Sequence, residues 1–336
     1  MALSASGAIS ADDIRTEYGL SGAVSFGDLY RGGTHVRAKA ANNNGVNLAS
    51  SVPTSGAITF GNFRGTAKGF RYTFTAGATD QDASALFGSD YGVNYPKEIV
   101  INSGVELGAT STSQEALEID SGGSGTITIT NNGTLSGAGG AAGADGGDAF
   151  EAAVACTFIN NGTVRAGGGG GGTGGNGSYT SNSSTYYSQS YPYYVFMNSN
   201  DGQTQIWWNH SKVRSWSSPV LSAWGIYRRG SLQWTQTGEH SLMPIKHYSI
   251  YTSQTYSSSG GSGGVGAGYS QSAGTGSSGG TNAGAGGDGG GFGASGSTGA
   301  NGNSTNGSAG GASGKYLRGS SFVTFTNNGT AQGGTA

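Results

Sequence analysis

The seven residues Thr128-Ile-Thr-Asn-Asn-Gly-Thr134 recur in nearly the same form at Thr157-Phe-Ile-Asn-Asn-Gly-Thr163 and at Thr324-Phe-Thr-Asn-Asn-Gly-Thr330. Each copy begins with β-branched or aromatic residues, turns at Asn-Asn-Gly and continues with a second β-branched stretch. Asn-Gly is a strong turn signal because both residues tolerate a positive φ. Glu98-Ile-Val-Ile-Asn-Ser-Gly-Val105 is a weaker relative. A repeated strand-turn-strand unit of this size predicts stacked coils of the β-solenoid type.

Glycine-rich tracts follow the first two copies and precede the third. Glycine contributes 68 of the 336 residues, and it recurs at every third position in Gly137–Gly146, Gly168–Gly177 and Gly284–Gly302. A polyproline-II-type helix has three residues per turn, so this spacing leaves one of its faces without side chains. The spacing predicts a bundle of polyglycine-II helices joined by backbone hydrogen bonds. The alternative is a flexible Gly/Ser linker.

The composition excludes several classes of protein. Five prolines are too few for collagen, and one cysteine cannot build a disulfide framework or a CxxC metal site. A net charge of −2 argues against a nucleic-acid partner. The sequence has no run of 18 apolar residues, so no membrane span is predicted. No signal peptide is visible at the N-terminus. We expect no cofactor and no bound metal.

Residues 178–258 differ sharply from the glycine-rich tracts on either side. All five Trp and ten of the 17 Tyr lie between residues 179 and 256. Residues 193–198 and 203–209 are predicted to form a hairpin, 225–229 and 232–236 a second hairpin, and 245–251 a further strand. Amphipathic Tyr and Trp are typical of recognition surfaces, and Arg binds anionic groups. The candidate receptor-binding residues are Trp207, Trp208, Trp216, Trp224, Tyr227, Arg228, Arg229 and Trp234. The alternative is that many of these rings form the core of the module.

A third repeat lies near the N-terminus. Its copies are Ser6-Gly-Ala-Ile-Ser10, Ser21-Gly-Ala-Val-Ser-Phe-Gly-Asp-Leu-Tyr-Arg-Gly32 and Ser55-Gly-Ala-Ile-Thr-Phe-Gly-Asn-Phe-Arg-Gly65. Ser-Gly predicts a turn, the alternation after it predicts a short strand, and Asp28 or Asn62 is expected to close the next turn. An arginine recurs near the end of each unit, and Arg15, Arg31 and Arg64 are the candidate attachment residues. The repeats form either a docking segment for an assembly or a small local meander.

Two resemblances to known families follow from these motifs. The N-terminal repeats resemble the N-terminal segments of tail and fibre structural proteins of tailed, marine-type bacteriophages, which implies attachment to a virion. The glycine tracts with their preceding strands resemble the glycine-rich adhesins at the tips of the long tail fibres of T-even-like phages. That second resemblance implies sandwiched polyglycine-II helices whose connecting loops contact a host receptor.

Motifs that would indicate catalysis are missing from the sequence, which lacks a P-loop, HExxH or CxxC. Glu115, Glu118 and Asp120 could include a glycosidase pair, but Glu118 and Asp120 alternate with apolar residues as on a solvated strand face. Asp145, Asp148 and Glu151 could bind a cation or form a solvated acidic edge. We expect no enzymatic activity.

Together these patterns predict an all-β fold with a polyglycine-II helix bundle, short N-terminal β repeats, β-solenoid-like strand units and an aromatic β insertion. The predicted domains are attachment repeats over 1–65, a small β domain over 66–120, a glycine-rich platform over 121–177 and 259–336, and a recognition module over 178–258. The predicted function is noncovalent binding of a host-surface polysaccharide by a phage tail fibre or tip protein.

The expected partners are other phage tail or fibre proteins and a host glycan. The protein is expected on the virion tail after assembly in the host cytoplasm, as a homo-oligomer such as a trimer or in many copies. The alternatives are a purely structural tail adaptor or decoration protein, a tailspike-type glycan depolymerase, and an antifreeze-like protein.

Overall fold

The computed structural model describes residues 2–22, 24–190, 194–197, 203–208, 211–217 and 245–336. The chain divides into two compact units, Met1–Gly177 with Ser258–Ala336, and Ser178–Ser257. The regular secondary structure of the described residues is mostly strands, with helices α1 (Ala11–Tyr18) and α2 (Ala83–Phe87) and 3-10 turns at Phe26–Leu29, Phe60–Phe63, Gly88–Asp90 and Ser320–Phe322. The predicted all-β class is therefore confirmed. Among these described helices, none is long and apolar enough to cross a membrane.

The strands are numbered in chain order. The first twelve are β1 (Val46–Asn47), β2 (Phe70–Phe74), β3 (Ala78–Thr79), β4 (Gln81–Asp82), β5 (Lys97–Ile101), β6 (Glu106–Gly108), β7 (Leu117–Ile119), β8 (Ile127–Asn131), β9 (Thr134–Ser136), β10 (Phe150–Ala152), β11 (Cys156–Asn160) and β12 (Thr163–Arg165). The others are β13 (Gly177–Ser190), β14 (Tyr194–Met197), β15 (Gln203–Trp208), β16 (Ser211–Ser217), β17 (Ile245–Ser258), β18 (Lys315–Leu317), β19 (Val323–Asn327), β20 (Thr330–Gln332) and β21 (Gly334–Thr335).

The larger unit is built from repeated passes of the chain through three parallel sheets. The first sheet has the order β1-β2-β5-β8-β11-β19, the second β20-β12-β9-β6-β3 and the third β10-β7-β4. Apart from the antiparallel β1, neighbouring strands of these sheets run parallel. Successive passes use β2-β3-β4, β5-β6-β7 and β8-β9-β10. In the later passes β18 lies beside β10 through a parallel bridge between Glu151 and Arg318, and β21 pairs with β18.

The Thr-x-x-Asn-Asn-Gly-Thr repeat marks the corner between the first and second sheets. Its first strand belongs to one sheet and its second strand to the next, so Asn-Asn-Gly turns the chain within a pass and does not close a hairpin. Asn131, Asn160 and Asn327 stack in register, and their amides form a ladder with N···O distances of 2.8 and 2.7 Å. Asn132, Asn161 and Asn328 form a second, exposed ladder. These two hydrogen-bonded ladders therefore explain why the Asn pair recurs in every copy of the repeat.

One apolar core fills the space between the sheets. Inward positions repeat from pass to pass, as in the column Ile99, Ile129 and Phe158, whose side chains are fully buried. Phe158 also packs against Phe150 at 4.5 Å and Phe325 at 5.3 Å between ring centroids. This core includes residues on both sides of position 120. The separate small β domain predicted over 66–120 is therefore wrong, because β5 and β6 pair directly with β8 and β9.

The glycine-rich tracts leave the sheets between the second and third strand of a pass. The third pass contains the short excursion 137–149, and the fourth contains the long excursion 166–314 between β12 and β18. The sequence placed each tract after a strand-turn-strand unit but did not predict the third strand to which the chain returns. The run of seven spaced glycines does not form one straight segment, since it doubles back at 291–293, where Gly293 has φ +68° and Ala294 N bonds to Gly291 O.

Segment 167–177, here called the central tract, is surrounded by six other segments. Its backbone exchanges hydrogen bonds with 137–143, 144–147, 259–268, 283–291, 293–302 and 305–314. Bonds to one neighbour recur every third residue, as from Gly168, Gly171 and Gly174 to Ala267, Gly264 and Gly261 at 2.7–2.8 Å. A Cβ on Gly170 would lie 1.7 Å from the Ala141 carbonyl oxygen. Because the central tract has a neighbouring segment on every side, there is no room for side chains. This explains why all residues of Gly167–Gly172 are glycine.

The N-terminal repeats fold as capped helical turns, and the predicted strands after each Ser-Gly turn are wrong. Ser10 with Asp13, Ser25 with Asp28 and Thr59 with Asn62 form three equivalent capping boxes. The reason is the spacing Ser/Thr-x-x-Asp/Asn, in which each side chain satisfies a free N–H of the other. The turn closures predicted at Asp28 and Asn62 are confirmed. The apolar residues that follow, Ile14, Leu29 and Phe63, share one buried cluster.

Candidate functional site

Asn176 lies next to the end of the central tract, and two loops lie near it. These tract-end loops are residues 280–283 and 302–305. The backbone N–H groups of Ser304 and Thr305 donate to Asn176 O at 3.1 and 3.2 Å, and Asn176 N donates to Thr305 Oγ1 at 2.7 Å. Asn303 N donates to Asn282 O at 3.0 Å. The result is a rim of exposed amide and hydroxyl side chains without charges, held by backbone hydrogen bonds.

The second unit contains a two-stranded ribbon made of β13 and β17. Tyr179 on β13 and Tyr256 on β17 stack with ring centroids 5.4 Å apart and ring planes 20° apart. Both rings are exposed, by 38% and 40%. The Thr180 and Thr255 hydroxyls lie 3.4 Å apart. The ribbon therefore presents aromatic rings and hydroxyl groups to solvent.

A three-stranded antiparallel sheet, β14-β15-β16, lies in the same unit. Strands β14 and β15 confirm the strands of the first predicted hairpin, and β17 confirms the strand predicted near 245–251. The sequence did not predict β16. Trp207 pairs with Tyr194 on one side and Lys212 on the other, and Trp216 pairs with Thr204. Thus Trp207, Trp208 and Trp216 lie on two adjacent strands of one sheet.

The remaining candidate receptor-binding residues lie outside the described residues. They are Trp224, Tyr227, Arg228, Arg229 and Trp234, and the second predicted hairpin falls in the same stretch. Their assignment stays a prediction.

Part of the chain is similar to a known family of proteins. Residues 69–216, which begin with the first pass through the sheets and end at β16, match the family described as phage tail fibre adhesin Gp38. Part of this chain is therefore similar to phage tail fibre adhesins. Among solved structures, the chain is similar to the gp37-gp38 adhesin tip complex of the bacteriophage S16 long tail fiber, at 17% identity and a TM-score of 0.40, over 84% of this chain and 88% of that one. No curated protein sequence matches it significantly.

The carboxylates considered for catalysis or cation binding gather along the third sheet of the larger unit. Asp82 pairs in register with Glu118, and Glu118 with Glu151. Carboxylate oxygens of Asp82, Glu118 and Asp120 lie within 4.8 Å of one another, which is the type of ligand set that a hard divalent cation prefers. Asp120 also accepts a hydrogen bond from Ser84 N at 2.9 Å.

Arg318 offsets part of this negative charge. Its Nη1 lies 3.7 Å from Glu115, 3.7 Å from Asp148 and 3.5 Å from Glu151. Burial, reinforced by Glu151 and Glu118, raises the pKa of Glu115 to about 7. Asp148 Oδ1 also accepts from Lys315 N at 2.5 Å, and Asp145 Oδ1 from Ala312 N at 2.6 Å. Asp145, Asp148 and Glu151 therefore bind the returning chain, which is a structural role that the sequence did not reveal.

The candidate attachment arginines are spread over the N-terminal module, residues 2–66. Arg15 lies in the last turn of α1, 3.9 Å from Asp12, and Arg64 ends the turn Phe60–Phe63. Arg31 donates from Nε to Val52 O at 3.0 Å, so part of its guanidinium is used within the module. Phe26 and Phe60, at equivalent repeat positions, are each 39% exposed and pack edge to face at 5.2 Å.

Sequence reasoning missed two aromatic pairs, Phe26 with Phe60 and Tyr179 with Tyr256. The sequence did indicate the first pair, because Phe precedes Gly-Asp or Gly-Asn in both longer repeats. The capping box does not need this Phe. Nothing in the sequence indicated the second pair, since its two tyrosines are far apart in the sequence and meet only across the ribbon.

Proposed function

We propose that this chain is an adhesin that binds a host-surface polysaccharide noncovalently through the unit Ser178–Ser257. The observation that carries the proposal is that all five Trp and ten of the 17 Tyr fall between residues 179 and 256, and so within this unit. Aromatic side chains supply large contact areas at low entropic cost and stack on the apolar faces of sugars. The proposed contact residues are Trp207, Trp208, Trp216, Trp224, Tyr227, Arg228, Arg229 and Trp234.

The larger unit serves in this proposal as a rigid platform. Its repeated passes are of the β-solenoid type, and its glycine tracts form a polyglycine-II bundle. Support comes from the hydrogen bonds that recur at every third residue and from the six neighbours of the central tract. Ordering glycine is entropically unfavourable, so the many backbone bonds between tracts must offset that loss. Many copies on one virion would multiply weak binding through avidity.

The N-terminal module attaches the adhesin to other tail or fibre proteins of the virion in this proposal. Residues 1–75 carry seven basic and four acidic side chains, whereas residues 76–165 carry two and 11. The exposed Phe26 and Phe60 rings would form the apolar centre of the attachment surface, and Arg15, Arg31 and Arg64 its charged rim.

Adsorption to host cells tests the proposal. We expect the full chain to bind host cells and to be displaced by polysaccharide extracted from their envelope. A variant with 178–258 replaced by a short Gly/Ser loop should not bind, while its thermal unfolding shows that the larger unit remains folded. Binding by the replaced variant would contradict the assignment of the site. Shortening of the polysaccharide during the assay would indicate a depolymerase.

Incorporation into virions tests attachment separately. Virions that carry Phe26→Ser with Phe60→Ser should lose the adhesin, whereas Val46→Ser, at another exposed apolar position of the module, should leave incorporation unchanged. Equal incorporation of both variants would contradict the proposed surface.

A further inference from the structure

The stacked Tyr179 and Tyr256 belong to a wider strip of side chains on one face of the ribbon. Side chains two residues apart in a strand share a face, so Ser181 lies on the face of Tyr179, and Gln254 on that of Tyr256. The Tyr256 hydroxyl donates to Gln254 Oε1 at 2.8 Å, which orients both side chains. All four residues are exposed. The four side chains Tyr179, Ser181, Gln254 and Tyr256 are called the tyrosine strip below.

The stacking geometry leaves a surface for a ligand. With ring planes 20° apart, each ring covers one face of the other, and exposures of 38% and 40% leave the remaining ring surface in water. Exposed aromatic rings on a rigid two-stranded element lose little entropy when a ligand covers them.

The sequence around the tyrosine strip contains no charged residue. Neither residues 166–200 nor residues 247–287 include Asp, Glu, Lys or Arg. Such a surface offers no partner for a carboxylate, sulfate or phosphate, because anion recognition requires Arg, Lys or a cluster of aimed N–H groups. Its chemistry is two phenol rings with their hydroxyls, one amide and one serine hydroxyl, which matches a ligand with apolar C–H faces and neutral hydroxyl groups.

We propose that the tyrosine strip is a binding site for an uncharged saccharide, a site separate from the tryptophans and arginines assigned above. The inference rests on the proposed function, since it names the chemical class of one part of the receptor. The rings stack on the sugar, and Gln254 and Ser181 bind its hydroxyl groups. Cross-strand aromatic pairs also stabilise a ribbon, so the experiment separates binding from stability.

The experiment applies the full chain to an array of uncharged and anionic bacterial oligosaccharides. The unaltered chain should bind uncharged oligosaccharides, and Tyr179→Val with Tyr256→Val should weaken that binding by about tenfold or more. Tyr179→Phe with Tyr256→Phe keeps both rings and should bind within about threefold of the unaltered chain. Thr180→Val with Thr255→Val changes the opposite face and should have no effect. Gln254→Ala keeps both rings and should weaken binding about fivefold.

Two results would overturn the proposal. The first is that the unaltered chain binds only anionic oligosaccharides or binds no oligosaccharide on the array. The other is undiminished binding by the valine pair or, if the valine pair unfolds, by Gln254→Ala. Host-cell adsorption distinguishes this failure from that of the proposed function. If cells bind the unaltered chain and the tyrosine variants equally, the adhesin function stands and the strip is not a site; if cells bind neither, the proposed function fails.

Discussion

At the residue scale, the Asn-Asn-Gly repeat shows how one amide serves both local and tertiary structure. Asn160 is fully buried, accepts from Asn131 Nδ2, and donates to Asn327 Oδ1 and to Thr330 O. A buried amide needs such partners, because each unpaired polar group in a core is destabilising. The second Asn of the pair forms the exposed ladder, where water can replace a lost partner.

This difference between the ladders gives the first prediction. Asn160→Ala should lower the free energy of unfolding by about 2 kcal/mol, since it removes the Nδ2 hydrogen bond to Thr330 O and breaks the ladder on both sides. Asn161→Ala, the matched change in the exposed ladder, should cost no more than about 0.5 kcal/mol. Urea unfolding of both variants measures the difference. Equal midpoints would show that the buried ladder adds nothing to stability.

Glu115 gives a prediction on pH. Its pKa is raised to about 7 in the folded protein, above the ordinary value of 4.5. A carboxyl with a raised folded pKa contributes stability that is present below pH 4.5 and lost as the pH rises through about 7. Glu115→Gln should therefore raise the melting temperature at pH 8 by about 2 °C and have a smaller effect at pH 5. A variant less stable than the unaltered chain at pH 8 would mean that the contact with Arg318 outweighs the burial of charge.

At the element scale, the glycine tracts show why the same residue type is indispensable in one place and replaceable in another. The central tract has neighbours on all sides, and a Cβ on Gly171 would lie 1.9 Å from the Gly287 carbonyl oxygen. Gly291, at a turn of the outer segments, has no atom within 4 Å of such a Cβ. Close backbone approach, and not helix or strand propensity, sets the glycine requirement here.

The two positions form a matched pair for mutation. Gly171→Ala should destabilise the protein by about 3 kcal/mol or prevent folding, because the obstructing atom is backbone and cannot rotate away. Gly291→Ala should change the free energy of unfolding by less than about 0.5 kcal/mol. Thermal unfolding and the soluble yield of the two variants provide the measurement. A tolerated alanine at 171 would contradict the packing of the central tract.

At the scale of the larger unit, an ion pair between the half-exposed Arg37 and the buried Asp90 joins the N-terminal module to the rest of the unit. Asp90 lies in the 3-10 turn Gly88–Asp90, is fully buried, and accepts hydrogen bonds from Arg37, Ala40 N and Asn43 Nδ2. These bonds and the Arg37 charge lower the pKa of Asp90 in spite of its burial. The stability that Asp90 contributes is thus present at neutral pH and is lost as the pH falls through its lowered folded pKa.

Asp90→Asn should remove about 3 kcal/mol of stability at pH 7, because Arg37 loses its counter-charge in a partly buried position. The loss should shrink as the pH falls, since protonation also neutralises the native Asp90. Arg71→Gln, which removes an exposed ion pair with Glu98, is the control and should cost less than about 1 kcal/mol. An equal loss for the two variants would show that burial of Asp90 does not strengthen its interactions.

The sequence by itself determined the all-β class, the strand-turn-strand repeat and the turn closures at Asp28 and Asn62. These are local features, since β-branched alternation, Asn-Gly turns and capping-box spacing act within a few residues. Tertiary structure decided where the glycine excursions leave the sheets, that positions 66–120 share one core with later passes, and that Tyr179 meets Tyr256. Those outcomes depend on which distant backbone segments pair in register. They could not be read from the sequence, because loop closure between distant residues leaves no pattern in the local sequence.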